Sequence, residues 1–347
     1  MTAPESAVRP SLISRLTALV IGLGLFLAAT IVIAANIGAE PIPFAVILDS
    51  VRHGPPSVLA EIFWRLRLPR VVLGAVVGLA LAVAGGSLQG LLMNPLADPY
   101  LVGVSAGAAL GASVATLFHL GHLFGGAGKC LIAFGSGALT MLLVLWLARG
   151  RRRVQRDAFI LAGVVVGSFM WALVTLSMTL AGQDLQSIVF WLMGNLYGQT
   201  DWPVVAVAGA LALGGAIALY SYARDLNLLA LGEEQARQLG VETERLKTGV
   251  ILFSALVTAA AVSVSGIIGF VGLVVPHIAR KLFGPDHRLL LPAAGLLGAA
   301  FLVWADTVAR LIAEIFPVGV LTSLLGAPFF FYLLKRRPRS ASPGTPT

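Results

Sequence analysis

The chain has 347 residues, of which 58% are hydrophobic and only 12% are charged, and its mean hydropathy is +0.91. This composition excludes a large water-soluble domain, which does not need so much apolar surface to build a core. The net charge of +8 would indicate nucleic-acid binding in a soluble protein. Here the placement of basic residues around membrane spans explains it, so we expect no nucleic-acid partner.

Long uncharged segments predict an all-α polytopic membrane protein. Residues 71–93, 158–181 and 203–222 carry no charge, and about 20 such residues cross roughly 30 Å of hydrocarbon as a helix. They are apolar on all sides, whereas barrel strands alternate apolar and polar residues. About ten transmembrane helices are predicted, at 16–36, 71–93, 99–118, 130–148, 158–181, 203–222, 249–268, 272–283, 289–310 and 318–334.

Two of these segments depart from a regular span. The first follows basic residues, as a secretory signal does, but its apolar core is too long for one, so we keep it as a helix. The eighth, GLVVPHIARKLF, is short and contains Pro276. It cannot cross alone, and its freed backbone groups need surrounding protein.

The basic residues predict the orientation. If the N-terminus is cytoplasmic, 18 of the 24 lysines and arginines lie on the cytoplasmic side, as the positive-inside rule requires. An even number of spans fits this bias. We therefore expect a cytoplasmic N-terminus at 1–15, one transmembrane domain at 16–335 with a polar cytoplasmic segment at about 224–247, and a cytoplasmic tail at 336–347. Its Pro, Ser and Thr content predicts disorder in that tail.

The chain carries no evident energy source. Its spans lack the midplane ionisable residues of ion-driven transporters; Asp306 comes closest, and Arg310 at i+4 explains it as a local ion pair. The segment GGAGKC at 125–130 lacks the first P-loop glycine and has Cys130 in place of Ser or Thr. The composition thus indicates a transport pore driven by a partner. An ion-coupled secondary transporter and a non-transporting membrane protein remain the alternatives.

No cofactor or metal is expected in this chain. His119 and His122 stand at i, i+3 spacing and could hold a metal or a haem iron, but no third ligand lies near them in sequence. Ordinary interfacial histidines are the other interpretation. Cys130 is the single cysteine, so no internal disulfide can form.

Four stretches together closely resemble the FecCD-type permeases, the membrane subunits of ABC importers for iron-siderophores, haem and cobalamin. They lie at 65–112, 226–241, 263–292 and 317–335. The resemblance implies a type II ABC importer permease fold with ten helices and both termini cytoplasmic, in the cytoplasmic (inner) membrane of a prokaryote. It implies a non-catalytic subunit. Nothing in the sequence decides which chelate is carried.

The resemblance also implies the partners. Such permeases pair as two subunits, either a homodimer or two close paralogues, around a central pathway. Two cytoplasmic ATPase subunits bind ATP and magnesium below them. An extracytoplasmic substrate-binding protein docks from outside and supplies selectivity, which fits a sequence with no evident tight cargo site.

The charged stretch LNLLALGEEQARQLGVETERLK, at 226–247, predicts a short polar helix. Glu233 and Arg237 can pair at i+4, Ala236 and Leu239 are expected to share one apolar face, and Gly240 ends the helix. By resemblance, this segment is the coupling helix pair that seats on the ATPase. The predicted coupling residues are Leu231, Gly232, Glu233, Glu234, Ala236, Arg237, Leu239 and Gly240.

Four arginines fall on the predicted outer side, where positive charge is disfavoured. Arg65, Arg67 and Arg70 stand just before the second span, and Arg310 closes the ninth. By resemblance, arginines at such positions meet acidic residues of the binding protein, and charge complementarity steers that encounter. Snorkelling to lipid headgroups is the alternative.

Polar residues in otherwise apolar spans are candidates for the translocation pathway. By resemblance, the fifth span and the segment after it form its wall and outer gate. The candidates are Gln89, Asn94, Ser105, Ser168, Thr175 and Asn195. Pro95 and Pro99 predict a turn between the second and third spans, because proline cannot continue a helix and restricts the residue before it.

Overall fold

A computed structural model describes residues 11–38, 42–53, 57–149, 156–197, 201–313 and 316–335. Over these residues the protein folds into fifteen α-helices, with short 3₁₀ turns and one π turn between them. The predicted disordered tail, 336–347, and the first ten residues of the predicted N-terminal segment lie outside the described residues. The helices are α1 (Leu12–Asn36), α2 (Phe44–His53), α3 (Val58–Ile62), α4 (Leu68–Leu91), α5 (Val104–Leu117), α6 (Gly128–Ala148), α7 (Arg156–Leu180), α8 (Leu185–Leu192), α9 (Trp202–Ser221), α10 (Ala223–Leu229), α11 (Glu233–Gln238), α12 (Thr243–Ser265), α13 (Val271–Phe283), α14 (His287–Ile312) and α15 (Val318–Lys335).

Each of the ten predicted spans corresponds to one of these helices. Seven helical stretches are long and apolar enough to cross a membrane: α1, the continuous run 58–91, α6, α7, α9, α12 and α14. The other three predicted spans are the shorter helices α5, α13 and α15. The all-α polytopic prediction is therefore confirmed over the described residues.

The second span begins earlier than predicted. A π turn, Phe63–Arg67, joins α3 to α4, and Leu68 N–H donates to Phe63 O. Pro69, in the first turn of α4, does not stop the helix, because a backbone N–H is not required at that position. Arg65 and Arg67 therefore lie on the same continuous helical run as the predicted second span.

The bundle is built around α4, α12 and α14. Over an apolar stretch of 18 residues in each, 78%, 72% and 72% of the residues are buried, against 22% in both α1 and α9. The α4–α14 contact is close because glycines meet there: a Cβ on Gly78 would overlap the Gly298 carbonyl. Small residues let backbones approach in this way in membranes.

The predicted turn between the second and third spans is confirmed. α4 ends at Leu91, Asn94 Oδ1 accepts from Leu96 N, and Pro99 opens a 3₁₀ turn capped by Asp98. Within α5, Gly107 and Gly111 face α6, where a Cβ would meet Thr140 or Ser136.

The eighth segment is surrounded by protein, as expected for a helix too short to cross alone. α13 holds Pro276 in its interior, and a non-helical link at 266–270 separates it from α12. The Tyr100 hydroxyl donates to Ile268 O (2.8 Å) and accepts from Ile268 N (3.2 Å). These bonds satisfy backbone groups that hydrocarbon could not satisfy.

Candidate functional site

The polar stretch forms two short helices, α10 and α11, between α9 and α12. Gly232 stands between them at φ +117°, a conformation that L side chains rarely adopt. After α11 the chain closes in a Schellman motif: Val241 N–H donates to Ala236 O and Gly240 N–H to Arg237 O. Gly240 takes φ +89° there. The helix end predicted at Gly240 is confirmed.

The apolar face of this segment differs from the prediction. Ala236 is fully buried, whereas Leu239 is 59% exposed, so the two do not share a face. α11 ends at Gln238, and Leu239 caps it, with its N–H donating to Gln235 O at 3.0 Å. Leu231, in the turn before α11, is 62% exposed. We call the surface carrying Leu231 and Leu239 the coupling surface.

Charged side chains fix α11 to α12 behind this surface. Glu233 pairs with Arg237 at 2.7 Å, the i+4 pair that the sequence predicts. The same Glu233 accepts from Lys247 at 2.8 Å, and Lys247 also contacts Glu244 at 3.1 Å. Lys247 is only 7% exposed, so this pairing is screened less than a surface one. Glu234 is exposed and adds a negative charge to the solvent-exposed side of α11.

At the opposite end of the bundle, the four predicted docking arginines have different surroundings. Arg65 is exposed, with its guanidinium 3.6 Å from Glu61. Arg70 is 7% exposed and donates through Nε and Nη2 to Asp306, which is 2% exposed. Arg310 Nε lies 3.1 Å from the same carboxylate. Arg65 thus stands exposed beside Glu61, whereas Arg70 and Arg310 are held in a buried ion cluster with Asp306.

Arg310 also joins two helices. Its Nη1 and Nη2 donate to Ile37 O and Ala34 O, each at 3.2 Å, at the end of α1. The ion pair of Asp306 with Arg310, expected from i+4 spacing, is confirmed. Arg70, 236 residues away from Asp306, was not predicted as its partner. Among the described residues, two guanidiniums therefore contact this one carboxylate.

The six pathway candidates are not brought together. Gln89 and Asn94 line a cavity of about 680 Å³ at the end of the bundle that holds α10. Ser168 and Thr175, two turns apart, lie on the exposed side of α7. Ser105 is buried in α5, and Asn195 Oδ1 accepts from Tyr197 N in the loop after α8.

The histidine pair shows no metal geometry. His119 and His122 are exposed, and His119 Nε2 lies 3.7 Å from Asp184 Oδ2. Among the described residues, no group of three His, Cys, Asp or Glu side chains is arranged to hold a metal ion.

Sequence reasoning missed three residues where α10 meets the start of α14. They are Asn227 in α10, and Asp286 and His287 at the start of α14. Asn227 Nδ2 donates to Asp286 Oδ1 at 2.6 Å, and its Oδ1 accepts from His287 N at 2.9 Å. The available signal was a polar residue among the leucines of α10, together with an Asp-His pair at a helix start.

Comparisons with known proteins agree with this architecture. The model of the FecCD transport family matches residues 26–336. The chain is 43% identical over 287 residues to the cobalamin import system permease protein of Halobacterium salinarum, covering 83% of this chain and 77% of the relative. It is 42% identical over 330 residues to the hemin transport system permease protein of Yersinia pestis, covering 92% and 97%.

A solved structure described as an inward-facing metal-chelate type ABC transporter aligns with a TM-score of 0.77 at 33% identity. The alignment covers 92% of this chain and 99% of that one. The overall fold of this chain is thus similar to one already seen in a transporter.

Proposed function

The chain belongs to the FecCD transport family, and from this membership we propose how it works: it is the permease subunit of an ABC importer that moves an iron chelate or cobalamin. Relatives named for cobalamin and hemin import support this cargo class. ATP hydrolysis in a separate subunit drives the movement.

The coupling surface is the observation that carries this proposal. Two leucines, Leu231 and Leu239, are about 60% exposed at the end of a bundle, on short helices whose other side is buried. A small apolar surface with charged neighbours, held by fixed ion pairs, fits a groove on another protein. In an ABC importer that protein is the ATPase. The predicted coupling residues, from Leu231 to Gly240, form the coupling surface or hold it in place.

The permease acts as a pair of subunits around a shared pathway. The exposed side of α7 supports this assembly, because Ser168 and Thr175 lie exposed there in the single chain. A second copy or a close paralogue places that side on a central pathway. A mostly apolar wall with few hydroxyls lets a large chelate pass without tight binding, so the binding protein sets selectivity.

The outer end is the docking face for the binding protein. Arg65 offers an exposed guanidinium there. Arg70 and Arg310 add a positive field from their guanidiniums around Asp306, and Arg67 lies between Arg65 and Arg70 on the helical run 58–91. Such a field speeds and orients the approach of an acidic partner. In this assignment both termini and the coupling surface are cytoplasmic, and the membrane is the cytoplasmic membrane of a prokaryote.

Reconstituted transport tests the proposal. The permease, its ATPase and its binding protein are placed in proteoliposomes, and uptake of cyanocobalamin, haemin and ferrichrome is measured with and without ATP. We expect ATP-dependent uptake of one probe, lost when the ATPase is omitted. Uptake that follows an ion gradient and ignores ATP would instead identify a secondary transporter.

A further inference from the structure

Asn227 attaches α10 to the start of α14. Its Nδ2 donates to Asp286 Oδ1 (2.6 Å), and its Oδ1 accepts the backbone N–H of His287 (2.9 Å). His287 Nδ1 lies 2.8 Å from the same Oδ1. Because that oxygen only accepts, Nδ1 carries the proton and donates to it. Three contacts therefore join α10 to residues 59 and 60 positions away.

The two partners of Asn227 are themselves fixed. Asp286 caps α14, with its Oδ1 accepting from Arg288 N at 2.9 Å. His287 is 6% exposed, and its Nε2 has no hydrogen-bond partner among the described residues. The ring lies against Gly90 at the end of α4, where any Cβ would overlap it. Asn227 thus reaches α4 through the His287 ring.

The end of α4 continues this connection into α13. Gln89, beside Gly90, is 2% exposed and donates to Gly272 O (3.2 Å) and Leu273 O (3.3 Å). Its Oε1 accepts from Arg280 at 3.2 Å. A displacement of α10 at Asn227 therefore acts first on α14 through hydrogen bonds, then on α4 through the packed His287 ring, and then on α13 through Gln89.

The covalent routes from α10 lead to other helices. Along the chain α10 follows α9, which is 22% buried over an apolar stretch of 18 residues, and it precedes α11, which leads into α12. A push transmitted through the backbone alone would therefore act on α9 and α12. The other two central helices, α4 and α14, are reached from α10 across space and not along the chain.

We propose that Asn227, Asp286 and His287 form a joint that passes movement of the coupling surface to α4 and α14. The joint works beside the ion pairs of Lys247, which attach α11 to α12. This inference rests on the proposed function, since it needs an ATPase seated on the coupling surface. The three residues are positioning residues, because they touch neither cargo nor nucleotide.

An exchange of the two joint side chains tests the proposal. Asn227→Asp places two carboxylates within hydrogen-bond distance. The hydrogen bond to Asp286 is lost and the two side chains repel each other. In proteoliposomes holding the complete transporter, we expect uptake of the transported probe (cyanocobalamin, haemin or ferrichrome) to fall about tenfold. Coupling between two sites typically changes an equilibrium by roughly 5- to 150-fold, and this loss lies within that range. ATP hydrolysis continues, so the ATP used per molecule transported rises.

Adding Asp286→Asn to that variant restores the joint. The amide at position 286 then donates to the carboxylate at position 227, which still accepts from His287 N and Nδ1, and asparagine still caps α14. We expect the ATP used per molecule transported to return close to the wild-type value. Asp286→Asn alone lowers uptake less than Asn227→Asp, because its side-chain oxygen still accepts from Asn227.

Ser221→Ala is the matched control at the same end of the bundle. Ser221 is exposed at the end of α9 and donates only to Ala218 O, so this variant should transport as the wild type does. A simple folding defect in Asn227→Asp would lower uptake and hydrolysis in proportion. That result would overturn the joint, as would an unchanged ratio or a double variant that does not recover. A wild-type complex that moves no probe with ATP would overturn the proposed function, and the joint with it.

Discussion

The coupling surface makes a quantitative prediction at Leu239. This side chain is 59% exposed in the single chain, and full burial of a leucine stabilises by roughly 1.5–3 kcal/mol. Covering the exposed part on the ATPase is therefore worth about 1–2 kcal/mol per subunit. Leu239→Glu removes this contribution and adds a charge that must be desolvated. Since each 1.4 kcal/mol is tenfold in affinity, Kd should rise roughly 5- to 30-fold or more.

Biolayer interferometry of the detergent-solubilised permease against its ATPase measures this change. Leu239→Met is the matched control, because it keeps a flexible apolar side chain of similar size. Leu239 is exposed in the single chain, so Leu239→Glu should leave the Tm and the elution profile of the permease unchanged. Wild-type affinity in a folded Leu239→Glu permease would refute the assignment of this surface to the ATPase.

Three further predictions concern the docking face, the buried ion cluster and the coupling turn. Arg65→Glu should slow association of the loaded binding protein at low salt and have little effect at high salt; surface plasmon resonance at two ionic strengths checks this, and equal association rates would contradict it. Asp306→Asn leaves its two arginine partners without a counter-charge and should cost about 3–5 kcal/mol, seen as a lower Tm in detergent; an unchanged Tm would mean that the cluster adds no stability. Gly232→Val forces a side chain into φ +117° at a cost of about 1–3 kcal/mol, so it should reduce co-purification of the ATPase and ATP-driven uptake; normal values of both would show that the turn tolerates a side chain.

Local features of the site were predictable from the sequence. The i+4 pairs Glu233–Arg237 and Asp306–Arg310 follow from helix geometry, which brings such residues onto one face whatever surrounds them. The glycine breaks at Gly232 and Gly240 follow from backbone conformation alone. These expectations needed only the identity of neighbours within one or two turns.

Contacts across the bundle were not predictable in this way. Arg70 and Asp306 are 236 residues apart, and no spacing rule joins them. The joint at Asn227 has the same character, since its partners lie 59 and 60 residues further along the chain. The different burial of Ala236 and Leu239 was not predictable either, because it depends on which distant segments cover each side of α11.

The sequence by itself determined the helical character of the long apolar segments and the place of the polar segment between the sixth and seventh predicted spans. It could do so because a helix that crosses hydrocarbon alone must be long, apolar and internally hydrogen-bonded. These properties can be recognised in a run of consecutive residues. Only the tertiary structure decided which arginines remain free and how α10 reaches the buried helices. Those outcomes depend on packing of distant segments, where burial and a close glycine such as Gly90 determine which polar groups meet.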